Sequence, residues 1–281
     1  MSKLIAAGLI TVFALLYFSM QSMNYSDSTD LSYYLIPLGF MLVLLYIFQY
    51  QVDWWWAKRN PPKLDDRGVQ LLEANLPYYK TLPLEKKEKY NERLSLYLIA
   101  HRFLGQGSEQ EDTVPEDVKI MAAMHGIMLG MEKEEYLLKP FEHIIFYKHP
   151  FPSPNYQFLH ASETNTEDGA IILSVEQMML GIVKGKEHYN IALHEYAQAF
   201  IHLYPKEKWP TLTEEHWALL HQISGLKTSY LNNLFGEAMS GPLPVAINYF
   251  FTFPAQFEKV LPEEFQELNN IFKVYEKEVN F

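Results

Sequence analysis

The sequence predicts a mainly helical α+β domain with a small sheet, preceded by two transmembrane helices. Three observations carry this expectation. Two apolar runs stand at the front, several stretches with helix start and stop signals fill the remainder, and two short runs have strand composition. With 281 residues, 48% hydrophobic and 15% aromatic, the chain has ample material for one packed core and an added element.

Leu4 to Met20 is uncharged and apolar, and Leu31 to Tyr50 is a second such run. At about 1.5 Å per helical residue the second can cross about 30 Å of hydrocarbon, while the first is somewhat short. A cleaved signal peptide is the rival for the first run. Against it, no small-x-small site follows Met20, Lys3 is the sole basic residue before the run, and a second apolar run follows closely. A membrane hairpin over residues 1–59 is expected, with Pro37 tolerated in its second helix and able to kink it. The connecting loop, Gln21 to Asp30, holds no Lys or Arg, whereas Lys3 precedes the first span and Lys58 and Arg59 follow the second. Basic residues favour the cytoplasmic side, so both ends of the hairpin and the following domain are placed there. Trp54, Trp55 and Trp56 read as an aromatic belt at the headgroups, or as a cluster buried against the soluble domain.

Charges cancel up to Arg59, so the formal net charge of -11 belongs to the remainder. An acidic domain is a poor nucleic-acid binder, and none is expected as a partner. The absence of cysteine excludes disulfides, thiolate nucleophiles and Cys-held metals.

Asn60-Pro61-Pro62 breaks any helix and opens a single domain over residues 60–281. Leu84 to Leu104 reads as a helix started by Pro83. Thr113-Val-Pro-Glu116 is a capping box for a second helix running to about Gly130, whose Met121, Met124, Met128 and Leu129 are core candidates. His143 to Tyr147 and Ala170 to Ser174 are the strands, the first ending in the proline-rich His149 to Pro154. Helices follow over about Tyr189 to Leu203, Leu212 to Leu234, Pro244 to Phe253 and Pro262 to Val279.

The helix near residue 190 carries His194-Glu195-Tyr196-Ala197-Gln198, one letter short of the zinc-peptidase motif H-E-x-x-H. That motif puts two imidazoles on one helix face to ligate zinc, with the Glu as general base on the metal-bound water. Here Gln198 replaces the second ligand, and a neutral amide is a weak partner for zinc. His202 lies eight residues past His194, about 12 Å along a helix, too far to share one ion. His216 and His221 have no ligand spacing and read as solvated. Serine and nucleotide chemistry find no G-x-S-x-G, P-loop or G-x-G-x-x-G.

From about residue 70 onward the chain resembles the glucose-regulated (MtfA-like) zinc metallopeptidases of bacteria, a gluzincin-type group. The resemblance rests on Ile120-Met-Ala-Ala-Met-His125, His143-Ile-Ile-Phe-Tyr147, Gly169-Ala-Ile-Ile-Leu-Ser174, Asn190-Ile-Ala-Leu-His-Glu-Tyr-Ala197 and Asn248-Tyr-Phe-Phe-Thr-Phe-Pro254, in that order. It implies a zincin-like peptidase domain, with the first zinc histidine at His194, the base at Glu195, the second histidine at Gln198 and a glutamate ligand at Asn248. Family members also tend to have Leu-Asp where this chain has Ala199-Phe200. Two of the three ligand positions thus carry amides. The hairpin lies outside the resemblance, and a bacterial family places it in the inner (cytoplasmic) membrane.

Two readings follow. In one, the protein is a membrane-anchored pseudopeptidase without a cofactor. Its Gln198 and Asn248 bond to each other and to His194, and it binds a peptide or protein along Ala170 to Ser174 by strand addition. In the other, it is an active zinc aminopeptidase or endopeptidase with altered ligands and Glu195 as base. A purely structural membrane protein is a third class.

Overall fold

The computed structural model describes residues 1–22, 28–106, 114–154, 156–236 and 241–275. It divides into two compact units, Met1–Pro62 and Lys63–Phe281.

The first unit holds α1 (Ser2–Ser22), α2 (Ser28–Ile47) and α3 (Gln49–Arg59). Of these, α1 alone is long and apolar enough to cross a membrane by itself, over Ser2–Ser19. Among the described residues, a second span passes the same test as a bent pair, Ile36–Ile47 with Gln49–Arg59, which meet at 67°. The break falls at Phe48 and not at Pro37, which α2 accommodates within its length. After Phe48 the chain turns polar, with Gln49, Gln51 and Asp53, groups that hydrocarbon does not solvate.

The second unit begins with α4 (Asp66–Asn75), α5 (Pro77–Thr81) and α6 (Leu84–Ala100). The first is capped by Asp65, which accepts from the Gly68 amide at 2.7 Å. The helix expected to reach Leu104 ends four residues earlier, and Arg102–Gln106 instead forms strand β1. Helix α7 (Glu116–Leu129) starts at Pro115 without a side-chain cap; Thr113 of the expected capping box lies outside the described residues. Every α7 residue from Ile120 to Leu129 is buried, which places the four expected core residues in the interior.

Strands β2 (His143–Tyr147), β3 (Ser162–Asn165) and β4 (Ala170–Ser174) complete a four-stranded sheet of order β1-β2-β4-β3. The first three in that order run parallel, and β3 pairs antiparallel with β4, Ser162 opposite Leu173. The β3–β4 turn needs Gly169, whose φ is +61° and where a Cβ would lie 2.1 Å from the Pro140 carbonyl oxygen. Strand β4 is therefore interior, paired on both sides. The expected docking edge at Ala170 to Ser174 is corrected: its backbone groups are already used, and the edge on that side of the sheet is β3.

Helix α8 (Val175–Val183) is capped by Ser174 and leads to α9 (Ile191–Leu203). The expected Leu212 to Leu234 helix is two, α10 (His216–Ser224) and α11 (Thr228–Phe235), separated where Gly225 takes the left-handed conformation. Three helices with proline in their first turn follow: α12 (Pro242–Thr252), α13 (Pro254–Val260) and α14 (Pro262–Phe272). The last ends at Lys273 with φ +52°, short of Val279; residues 276–281 are outside the described residues. Helix α9 runs through the core between α7 and α12 with β3 alongside, and Gly126 of α7 admits the Tyr196 ring, 2.8 Å from where a Cβ would stand.

Candidate active site

Asn190 starts α9. Its Oδ1 accepts from the Leu193 amide at 3.0 Å, a regular N-cap. Its Nδ2 therefore donates to Nε2 of His125 at 2.9 Å, which leaves the His125 proton on Nδ1, facing the Ala122 carbonyl at 3.3 Å. Burial lowers His125 to about 4, so it is neutral. The Asn190 carbonyl in turn accepts from Nδ2 of Asn248 at 2.7 Å, and Thr252 donates to Oδ1 of Asn248 at 3.4 Å. A cavity of about 460 Å³ lies against this end of α9, lined among others by Tyr78, His125, Asn190 and Phe251.

One turn later His194 is fully buried. Its Nδ1 meets the Tyr189 hydroxyl at 2.7 Å, its ring stacks on Phe235 with centroids 4.3 Å apart, and its buried Nε2 has no hydrogen-bond partner. Burial lowers it to about 3. The Tyr189 phenol is held protonated by burial, so it donates, and the imidazole proton sits on the orphan Nε2.

Glu195 is also buried, and both its oxygens are taken. Ser162 donates to Oε1 at 2.7 Å and Thr164 to Oε2 at 2.6 Å, so the side chain ties α9 to β3. Burial raises it to about 7; the Thr164 and Ser162 donors and His160 pull it down, and Glu163 pushes it up. His160 and Glu163, both buried, face each other at 3.4 Å. Burial would lower His160, but the Glu163 carboxylate, the Phe158 carbonyl and Glu195 together outweigh it and the imidazole is raised.

Gln198 is half-buried in a helix otherwise buried from Ile191 to Phe200. It lines a cavity of about 300 Å³ with Thr164, Thr166, Ile201, His202, Leu243 and Pro244. His202 also stands edge-on to Phe141; His221 is exposed and bonds to the Leu226 carbonyl, whereas His216, expected to be solvated, is half-buried, bonded to Thr213 and 3.6 Å from Glu264 of α14.

The structure thus brings His194, Glu195 and Gln198 onto one helix but does not join Asn248 to them. The expected network among Gln198, Asn248 and His194 is corrected: Asn248 bonds to the Asn190 carbonyl, and His194 bonds to Tyr189. The residues facing Gln198 from α12 are Leu243 and Pro244. Zinc, which the resemblance implies, fits this donor set poorly. His194 offers one nitrogen closed in against Phe235, Gln198 offers a neutral amide, and the Asn248 amide is engaged elsewhere. Among the described residues no group of three His, Cys, Asp or Glu could hold a metal ion.

The partners of this site escaped the sequence reading. Ser162 and Thr164 lie in the polar strand Ser-Glu-Thr-Asn, which has no apolar alternation, and Tyr189 and Phe235 carry no motif. The alternate hydroxyls at Ser162 and Thr164, spaced by two, are the one signal that could have found a strand face aimed at Glu195.

Comparison with curated proteins gives no match. A family model described as glucose-regulated metallo-peptidase M90 matches residues 52–208, which includes α9 and the whole sheet and stops before Asn248. With more than half of its length matched, the chain belongs to the M90 family of glucose-regulated metallopeptidases.

Proposed function

We propose that this M90-family protein is a membrane-anchored pseudopeptidase that binds an extended peptide or protein segment at the former active-site cleft. The observation that carries the reading is the state of Glu195. A general base must reach the proton it removes. Here both carboxylate oxygens are engaged by Ser162 and Thr164, in a helix whose second ligand position is an amide. The carboxylate serves as a cross-link between α9 and β3. The cleft is then a binding surface, and the cavity beside Gln198, bordered by Thr164 of β3, receives a side chain. No cofactor is required. The reading places the hairpin in a bacterial inner membrane with the domain facing the cytoplasm, from the basic residues Lys3, Lys58 and Arg59.

The active-peptidase alternative draws on the same Glu195, which burial raises to about 7, a value suited to a base at neutral pH. Elemental analysis of full-length protein purified without added metal separates the two. The expected result is no stoichiometric zinc, no cleavage of a peptide library, and retention of library peptides that is lost in Ile201→Trp, which fills the cavity. Stoichiometric zinc with cleavage abolished by Glu195→Gln would transfer the case to the enzyme.

A further inference from the structure

Helix α3 has no buried residue, although it carries three tryptophans in sequence. One side of it is accounted for. Both oxygens of Asp53 accept from Ser2 of α1, from the backbone amide at 2.6 Å and from the hydroxyl at 2.7 Å. At about 100° per residue, Trp55 and Arg59 project from the side opposite Asp53, with Trp54 and Lys58 beside them. These four form two cation–aromatic pairs at adjacent positions, the members of each one turn apart: Arg59 lies 4.1 Å from the Trp55 ring centroid and Lys58 lies 5.5 Å from that of Trp54. Trp55 is 50% exposed and Trp56 40%. The helix leaves an apolar run, and it does so at 67° to that run.

We infer that α3 is an interfacial helix, lying along the membrane surface with Trp54, Trp55, Lys58 and Arg59 seated among anionic lipid headgroups. This rests on the reading of the first unit as membrane-inserted. If Ile36–Ile47 follows the bilayer normal, a bend of 67° sets α3 close to the membrane plane. Indole rings partition to the headgroup level, where the ring is half in hydrocarbon and its N–H is wet. Lys and Arg stacked on them keep their charge on the aqueous side and meet lipid phosphates. Asp53, the acid that an anionic surface would repel, is paired with the Met1 ammonium at 2.9 Å and held by Ser2. The assignment explains why Trp55 stays uncovered in the folded chain, and it makes α3 a surface anchor and not the end of a straight span.

The test uses the full-length chain in liposomes containing phosphatidylglycerol, with lipids brominated either near the glycerol end or near the methyl end of the acyl chains. Tryptophan emission is expected to be quenched severalfold more by the shallow bromines. The triple variant W54F/W55F/W56F, which keeps Trp209 and Trp217, is expected to lose most of that quenching. K58E/R59E, which keeps all three tryptophans in the sequence, should lose the preference for phosphatidylglycerol over phosphatidylcholine liposomes. Deep bromines quenching more than shallow ones, or shallow quenching unchanged in the triple variant, overturns the inference. Alkaline carbonate distinguishes the two levels: extraction of the wild-type chain overturns membrane insertion itself, whereas retention without shallow quenching overturns α3 alone.

Discussion

At the start of α9, Asn190 caps the helix, bonds His125 and accepts from Asn248, and each of these polar groups has a partner. One turn on, His194 presents an orphan Nε2 to the interior, and Glu195 is a buried carboxylate raised to about 7. The first turn is thus stitched by polar groups whose hydrogen bonds to one another offset the cost of keeping them dry. The motif turn holds ionisable groups whose burial is expensive and which only hydroxyls and an aromatic face compensate. The contrast teaches that the helix is positioned from its N-terminal end and through β3, so the fold has a way of holding α9 that needs no ion at the motif.

The comparison breaks most readily at Asn190. Asn190→Ala removes the cap, worth about 1 kcal/mol, and strands Nε2 of the buried His125, worth about 1–3 kcal/mol. The expected loss is about 3 kcal/mol in urea unfolding of the full chain in detergent, followed by Trp209 and Trp217 fluorescence. A loss under about 1 kcal/mol would mean that the N-terminal stitching does not hold the helix.

Acid should act on the same groups. His101, His125 and His194 are depressed by burial to about 4, 4 and 3. Their contribution is present above the unfolded value near 6.5 and is lost as pH falls toward 4, because the unfolded chain takes up protons that the folded chain refuses. Glu195 works the other way: its folded value of about 7 lies above the unfolded 4.5, so its contribution is present below 4.5 and lost as pH rises through 7. His160 is raised although burial opposes it, so its contribution is present in acid and lost as pH rises. Three histidines against one carboxyl leave a net loss of about 2 kcal/mol from about pH 6 to pH 5. Urea midpoints across that range check the sign, and stability that rises toward pH 5 would contradict the buried neutral imidazoles.

A smaller effect is expected at the motif itself. His194→Leu removes the unsatisfied Nε2 and keeps apolar contact with Phe235, but it deprives the Tyr189 hydroxyl of its acceptor. These nearly cancel, and the change should be no more than about 1 kcal/mol. If His194→Leu costs more than Asn190→Ala in the same urea series, the order of the two turns is reversed and His194 carries a bond absent from this structure.

How much of this was legible follows from the kind of signal each part leaves. Strands β2 and β4 and helices α7 and α9 show in the sequence because they are buried and continuous, with apolar runs bounded by glycine, proline or a capping asparagine. Strand β1 was absorbed into the preceding helix, since Arg-Phe-Leu-Gly-Gln becomes extended only by pairing with β2, about forty residues on. Strand β3 was missed because its inward residues are Ser and Thr, chosen to bond Glu195 and not to fill a core. The same long-range dependence put β4 inside the sheet and β3 at its edge. Gln198 could be read from the motif alone, whereas the partners of Asn248 could not, because spacing along one helix does not specify which turn of another lies opposite.

The chelator experiment carries the least expected effect and the most weight. Structural zinc contributes on the order of 10 kcal/mol to a small metal-dependent fold, so its removal would lower the melting temperature by many degrees. On the proposed reading α9 is fixed by Asn190 at one end and by Glu195 bonded to Ser162 and Thr164, and needs no ion. EDTA is therefore expected to leave the thermal midpoint of the full chain unchanged, within the error of the scan. Added zinc is expected to leave it unchanged as well, because an ion bound only to the native state would raise it by mass action. Gln198→His supplies the missing imidazole on the same helix face, and a zinc-dependent midpoint appearing only in that variant would show that the cleft keeps the shape of a metal site and lacks only the donors. Zinc dependence in the unmodified chain would instead show that α9 is held by an ion after all, and the contrast between its two turns would no longer explain how the helix is placed.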